Sequence, residues 1–258
     1  MRVAVRVRPM SKSEQLEGCK VVLSCGDHSP EHSSASATSG STAVAASTST
    51  STSSSTKQIF VGNASDRSFT FDEVFGSAVS QAQVFSSCVS PLLERFMEGY
   101  NGTILAYGQT GSGKTFTMGT ATTGAELMGA ATAADLKDPA LAIIPRAAIT
   151  LFEAFRVLEE KAHRLGLARP VFELRTSFLE IYNEELIDLL DKEAAGPVRI
   201  QEDHGGGGVQ LIGLTEEMVT SPAALLACLA RGALSRTTAA TDMNKTSSRS
   251  HGQPRLSS

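Results

Sequence analysis

A chain of 258 residues with 41% apolar side chains is long enough for one large domain or two small ones and can bury a real core. Its formal net charge of -4 argues against wholesale electrostatic binding to nucleic acid; contact with a polyanion would need a local basic patch. Cys19, Cys25, Cys88 and Cys228 are scattered without C-x-x-C spacing, so neither a zinc site nor a disulfide framework is indicated, and a reduced cytosolic compartment fits.

Val3, Val5 and Val7 alternate with Arg2, Ala4, Arg6 and Arg8 at the period of a strand, which Pro9 ends. This start lacks the charged and then apolar form of an export leader, and no apolar run reaches membrane-spanning length. Val21-Val22-Leu23 predicts a second short strand. From Ser29 to Thr56 the residues are nearly all Ser, Thr and Ala. Too little apolar surface is available there to offset the entropy of ordering, so the segment reads as a disordered insert, a linker or a phosphorylation platform. Strands are expected again over Gln58 to Val61 and Ser68 to Phe71.

Val84, Cys88, Leu92 and Phe96 recur every fourth residue beside Phe85, Val89 and Leu93, giving a helix face that ends at Gly99. Pro91 should kink that helix or start a new turn. Thr103-Ile104-Leu105-Ala106-Tyr107 is an apolar strand signal, and it runs directly into GQTGSGKT at Gly108 to Thr115. Residues 119–140 form a Gly/Ala/Thr-rich stretch that reads as a surface insertion. Pro145 opens a second amphipathic helix through Ile149, Phe152 and Phe155.

Phe172, Leu174, Thr176 and Phe178 alternate with polar residues in a long strand that turns at Asn183 into an expected short helix, Glu184 to Leu190. Val198 to Ile200 and Val209 to Ile212 flank His204 and four glycines, the pattern of a hairpin with a mobile tip. Ser221 as N-cap and Pro222 at the first helical position begin another helix, with Leu225, Leu226 and Leu229 on its buried side. Strands interleave with helices throughout, so an α/β fold follows.

The octapeptide carries the chemistry. It matches G-x-x-x-x-G-K-[ST], in which flexible glycines let backbone amides approach phosphate oxygens. Lys114 would reach the β- and γ-phosphates, and the Thr115 hydroxyl would ligate Mg²⁺. A strand signal before the loop and a helix start after it make accident unlikely to account for the match, which alone has roughly one chance in a hundred.

The loop has company. Arg6-Val7-Arg8-Pro9, Gly99-Tyr100-Asn101-Gly102-Thr103, the string SFLEIYNEELIDLL beginning at Ser177, and NKTSSRSH at Asn244 to His251 together resemble the kinesin motor domain. Ile200-Gln201-Glu202-Asp203 and Gly213-Leu214-Thr215-Glu216 are most similar to its chromokinesin branch. The resemblance implies a P-loop NTPase of α/β class, a kinesin-type motor head whose mixed central sheet is flanked by helices. It also implies hydrolysis of ATP with Mg²⁺, coupled to movement along microtubules in the cytoplasm and cytoskeleton. Tubulin is then the partner, with neither nucleic acid nor membrane inferred.

Carried over residue by residue, Arg6, Arg8 and Pro9 would pack against the adenine and Phe116 would close its other side. Gly108, Gln109, Thr110, Gly111, Ser112, Gly113, Lys114 and Thr115 would hold the phosphates. Asn244 and Ser247 would line the γ-phosphate and the attacking water, Ser248 would join Thr115 near Mg²⁺, and Arg249 would form a gate ion pair.

The resemblance covers 1–251 as a partial motor domain, truncated before the switch II pattern D-x-x-G-x-E, and 252–258 reads as an unrelated tail. Three expectations follow from the truncation. Arg249 lacks its glutamate, the strand Thr103 to Tyr107 lacks both neighbours, and most of the microtubule-facing surface is missing apart from the hairpin around Asp203 to Leu211. The alternative reading is a non-catalytic nucleotide-binding or regulatory fragment. An unrelated P-loop kinase or GTPase is disfavoured, since Asn244-Lys245 is followed by Thr246-Ser247 and so does not form N-K-x-D.

Overall fold

The computed structural model describes residues 1–26, 57–62, 67–120, 136, 138–191, 196–202, 208–242 and 250–257, with 237–242 and 250–257 described by backbone alone. The insert at 29–56 and most of the 119–140 insertion lie outside the described residues. The chain divides into two compact units, Met1–Val79 and Ser80–Ser258.

In the first unit, β1 (Ala4–Arg6) pairs in parallel with β5 (Glu73–Phe75), Val5 opposite Val74. The alternation at Val3 to Val7 therefore does give a strand, and Val7 N–H extends the ladder to the Phe75 carbonyl at 2.8 Å. After Pro9 the chain enters α1 (Lys12–Leu16), started by a capping box in which Ser11 and Glu14 satisfy each other's backbone N–H groups. β2 (Leu23–Cys25), β3 (Gln58–Val61) and β4 (Arg67–Thr70) form an antiparallel sheet in that order, with Ile59 and Phe60 buried.

The second unit opens with a capping box of its own, Ser80 with Gln83, at the start of α2 (Gln81–Val84). A π-helical turn, Phe85–Val89, leads into α3 (Ser90–Met97). Pro91 explains the wide turn, because its ring lacks a donor and would crowd the carbonyl four residues back in an α-helix. The wide turn also shifts the buried face. Val84, Phe85 and Val89 are buried and Leu93 and Phe96 half-buried while Leu92 is exposed, so beyond the π turn the expected face continues without Leu92.

α4 (Lys114–Met118) follows the glycine loop, and α5 (Ile143–Arg164) starts two residues before Pro145. β6 (Leu174–Tyr182) is the centre of the largest sheet, antiparallel to every neighbour. Its buried residues pack with α6 (Pro222–Asp242), where Leu225, Leu226 and Leu229 join Leu174, Phe178, Leu189 and Val219 in one core. Ser221 caps α6 as expected, its Oγ accepting from Ala224 N–H at 3.1 Å. One edge of β6 carries β10 (Glu217–Val219) and β7 (Glu185–Asp188), and the other carries β11 (Ser250–Ser257). A separate hairpin joins β8 (Arg199–Glu202) to β9 (Val209–Ile212).

Two expectations need correction. The short helix over Glu184 to Leu190 is instead β7, because Asn183 and Glu184 take positive φ of 47° and 68° and fold the chain back in a two-residue hairpin, Tyr182 opposite Glu185. Ladder bonds with β6 and burial of Leu189 outweigh the helix propensity of Glu-Glu-Leu. The strand at Thr103 to Tyr107 does not form: among the described residues no strand pairs with it, and Leu105 is 79% exposed. Without a ladder partner, this short segment has nothing to hold it as a strand. Residues 250–257, on either side of the expected boundary at 251, pair as β11 with β6, from Ser250 opposite Tyr182 to Ser257 opposite Arg175.

A helix glycine fixes how closely α6 lies on β6. A Cβ at Gly232 would stand 2.1 Å from Cδ1 of Phe178, inside the ring's van der Waals surface. Gly232→Ala is therefore expected to lower stability by about 1–3 kcal/mol despite alanine's better helix propensity. A thermal melt checks this, the variant melting below the parent chain.

Candidate nucleotide site

Gly108 to Phe116 builds a turn that reverses on itself. Gly108 has φ of 155°, and a Cβ there would come within 2.6 Å of the Ser112 hydroxyl, so only glycine lets the two ends of the loop approach. Gly113 caps α4 in a left-handed conformation, φ 94°, with its carbonyl accepting from Thr117 N–H at 2.9 Å. Between them Ser112 N–H donates to the Gln109 carbonyl at 3.2 Å.

Lys114 closes the turn. Its Nζ donates to the Gly108 carbonyl at 2.6 Å and to the Gln109 carbonyl at 2.8 Å. Among the described residues no carboxylate forms an ion pair with it. Two neutral carbonyls hold the ammonium but leave its charge uncompensated, which suits an incoming anion. The loop thus brings Gly108, Gln109, Ser112 and Lys114 together, with Thr110 and Gly111 exposed at its tip and Thr115 half-buried on the first turn of α4. Phe116 is 59% exposed. The residues present fit a phosphate chain: a glycine turn that a side chain would fill, a cation at its lip and a hydroxyl behind it.

The far end of α4 is pinned. A Cβ at Gly119 would meet that of Ala142 at 2.8 Å, so α4 ends directly on the start of α5. Arg146, buried to 3% exposure, donates to the carbonyls of Leu141 at 2.7 Å, Leu136 at 2.5 Å and Asp138. Burial lowers its pKa from the usual arginine value, with the Asp138 charge acting in the opposite sense. Sequence reading missed Arg146, because its partners are backbone carbonyls and no side-chain pattern announces them.

Arg6, Arg8 and Pro9 belong to the first unit. Arg6 is half-buried, its Nη2 donating to the Val79 carbonyl at 3.4 Å, and desolvation lowers its pKa. Arg8 is gripped by Glu14: Nη1 donates to Oε2 at 2.7 Å, Nη2 donates to Oε1, and Nη1 also reaches the Pro9 carbonyl at 3.0 Å. Glu14 was likewise missed, although the S-x-x-E spacing of a capping box was there to be read. Asn244, Ser247, Ser248 and Arg249 lie outside the described residues.

Hydrogen bonds from Arg8 and then from Ser11 hold the Glu14 carboxyl down to about 2. Since this folded value lies below the ordinary glutamate value of about 4.3, the clamp is complete above that value and is lost as pH falls from there through about 2. An NMR titration of the Glu14 carboxyl checks this. It should titrate near 2 in the parent chain and return toward about 4.3 in Arg8→Ala.

The family model of the kinesin motor domain matches residues 6–253. Kinesin-like protein KIF21B from Homo sapiens is 38% identical over 97% of this chain and 13% of its own length. Chromosome-associated kinesin KIF4 from Mus musculus is 38% identical over 97% of this chain and 17% of its own length. Kinesin-like protein KIN-4A from Oryza sativa subsp. japonica is 36% identical over 97% and 21%. The chain therefore spans about one fifth or less of the length of these relatives.

Proposed function

The chain belongs to the kinesin motor-domain family, and from that premise we propose that it binds Mg·ATP and hydrolyses it to drive microtubule-based movement. The single observation that carries this reading is the reversed glycine turn with Lys114 at its lip, inside a chain matched to that family across nearly its whole length. The triphosphate tail would lie against the Gly108 to Thr115 amides, where it competes with the two carbonyls for the Lys114 ammonium. By the family resemblance, Arg6, Arg8 and Pro9 would contribute to adenine recognition, and so would Phe116.

Thr115 and Ser248 would hold Mg²⁺, which when bound offsets charge on the β- and γ-phosphates. Asn244 and Ser247 would orient the attacking water, and Arg249 would act as the gate. In phosphoryl transfer the protein mainly positions groups and neutralises charge, which these hydroxyls and cations are suited to do. The β8–β9 hairpin would meet tubulin, presenting exposed Ile200, Val209 and Ile212 near its strands' ends. Among the described residues no helix is long and apolar enough to cross a membrane. The family match supports a place on cytoplasmic microtubules.

One observation favours a second reading, a non-catalytic nucleotide-binding fragment. The segment Thr103 to Tyr107, which feeds the loop, has no ladder partner among the described residues. Microtubule-stimulated ATP turnover separates the two: a motor ATPase accelerates on adding microtubules, whereas a binding fragment retains ATP affinity with no stimulated turnover. Either reading requires the lysine. Lys114→Ala should weaken ATP binding about 10- to 100-fold, the loss of a charge-assisted hydrogen bond, measured by calorimetry on a variant with an unchanged circular dichroism spectrum.

A further inference from the structure

We propose that Gln81 is a positioning residue for recognition of the nucleotide base, acting through the turn that carries Phe116. Gln81 is the first residue of α2 and only 2% exposed, an unusual burial for a primary amide. Its Nε2 donates to the Phe116 carbonyl at 2.7 Å, across 35 residues of sequence. That carbonyl belongs to the short helix α4 that follows the glycine turn. An amide from another element thus anchors the backbone of Phe116 while its side chain stays exposed.

The anchor is itself fixed. Ser80 Oγ accepts from Gln83 N–H at 3.3 Å, and Ser80 N–H donates to Gln83 Oε1 at 2.9 Å, setting the start of α2 and with it the Gln81 backbone. Buried Val84, Phe85 and Val89 hold the same helix and the π turn behind it. Lys114 and Thr115 directly precede Phe116 in α4, on the side of the glycine turn. This short helix therefore has two distinct supports, the glycine turn bonded to the Lys114 side chain and Gln81 bonded to the Phe116 carbonyl.

This inference rests on the nucleotide reading of the loop, and its test distinguishes the failure of each. The 258-residue chain is loaded with a fluorescent adenine nucleotide, which is then displaced by ATP or by inorganic tripolyphosphate. Gln81→Leu, which removes the donor, and Gln81→Glu, which sets a carboxylate against the carbonyl, should each weaken ATP about fivefold or more, the worth of one buried hydrogen bond. Tripolyphosphate affinity should stay within about twofold, because the phosphate contacts are not routed through Gln81. In a Phe116→Ala background the Gln81 substitutions should cost ATP nothing further.

A merely structural role would lower ATP and tripolyphosphate in parallel, and that result overturns the proposal. So does an ATP loss that persists in full without the Phe116 ring. Should a single variant fail to fold, the comparison of Phe116→Ala with the other Gln81 variant carries the decision. A folded parent chain that binds neither displacer removes the nucleotide reading and this inference together, whereas binding of both with an unchanged ratio in the variants removes the inference alone.

Discussion

The site depends on a backbone constraint at Gly108. Its φ of 155° and the 2.6 Å that would separate an added Cβ from the Ser112 hydroxyl let the loop close on itself, and closure brings the Gly108 and Gln109 carbonyls under the Lys114 ammonium. A side chain there would strain the backbone at this φ and force the Ser112 hydroxyl aside. The left-handed Gly113 then turns the chain into α4, which sets Thr115 and Phe116 in their places.

A common device recurs around this turn. Long side chains donate to backbone carbonyls of loops and a short helix: Lys114 to the glycine turn, Gln81 to Phe116 in α4, and Arg146 to the stretch before α5. Each bond joins segments that have no sheet ladder between them, so side chains do there what strand pairing does in β6. Arg8 and Glu14 differ in being a charge pair, although both also reach backbone groups, Arg8 at the Pro9 carbonyl and Glu14 at the Ser11 N–H. The gain is geometric more than energetic, because exposed ion pairs contribute little to stability.

What the sequence discloses about this chain follows from the range of the interactions involved. The glycine turn was legible because its constraint is local: Gly, Lys and Thr at fixed spacing are what a short reversed loop needs. Ser221 and Pro222 announced α6 for the same reason. β7 was not legible, since Glu-Glu-Leu favours a helix locally and only the positive φ of Asn183 and Glu184, with β6 waiting alongside, decides otherwise. The segment Thr103 to Tyr107 misled in the opposite direction, its apolar run promising a strand that needs neighbours to exist. The phase of the buried face after Val89 depended on a π turn that helix periodicity does not encode. Of the site, the loop could be read directly, Glu14 was readable but unread, and Arg146 was invisible because carbonyl partners leave no trace in residue type.

The central claim is that loop amides, together with the Lys114 ammonium, receive a phosphate chain. Backbone amide NMR of the chain during titration with Mg·ADP tests it most directly. The account predicts large saturable shifts at the Gly111, Gly113 and Lys114 amides, with those of β8 and β9 unmoved. A folded chain whose loop amides stay unshifted at saturating nucleotide would contradict it.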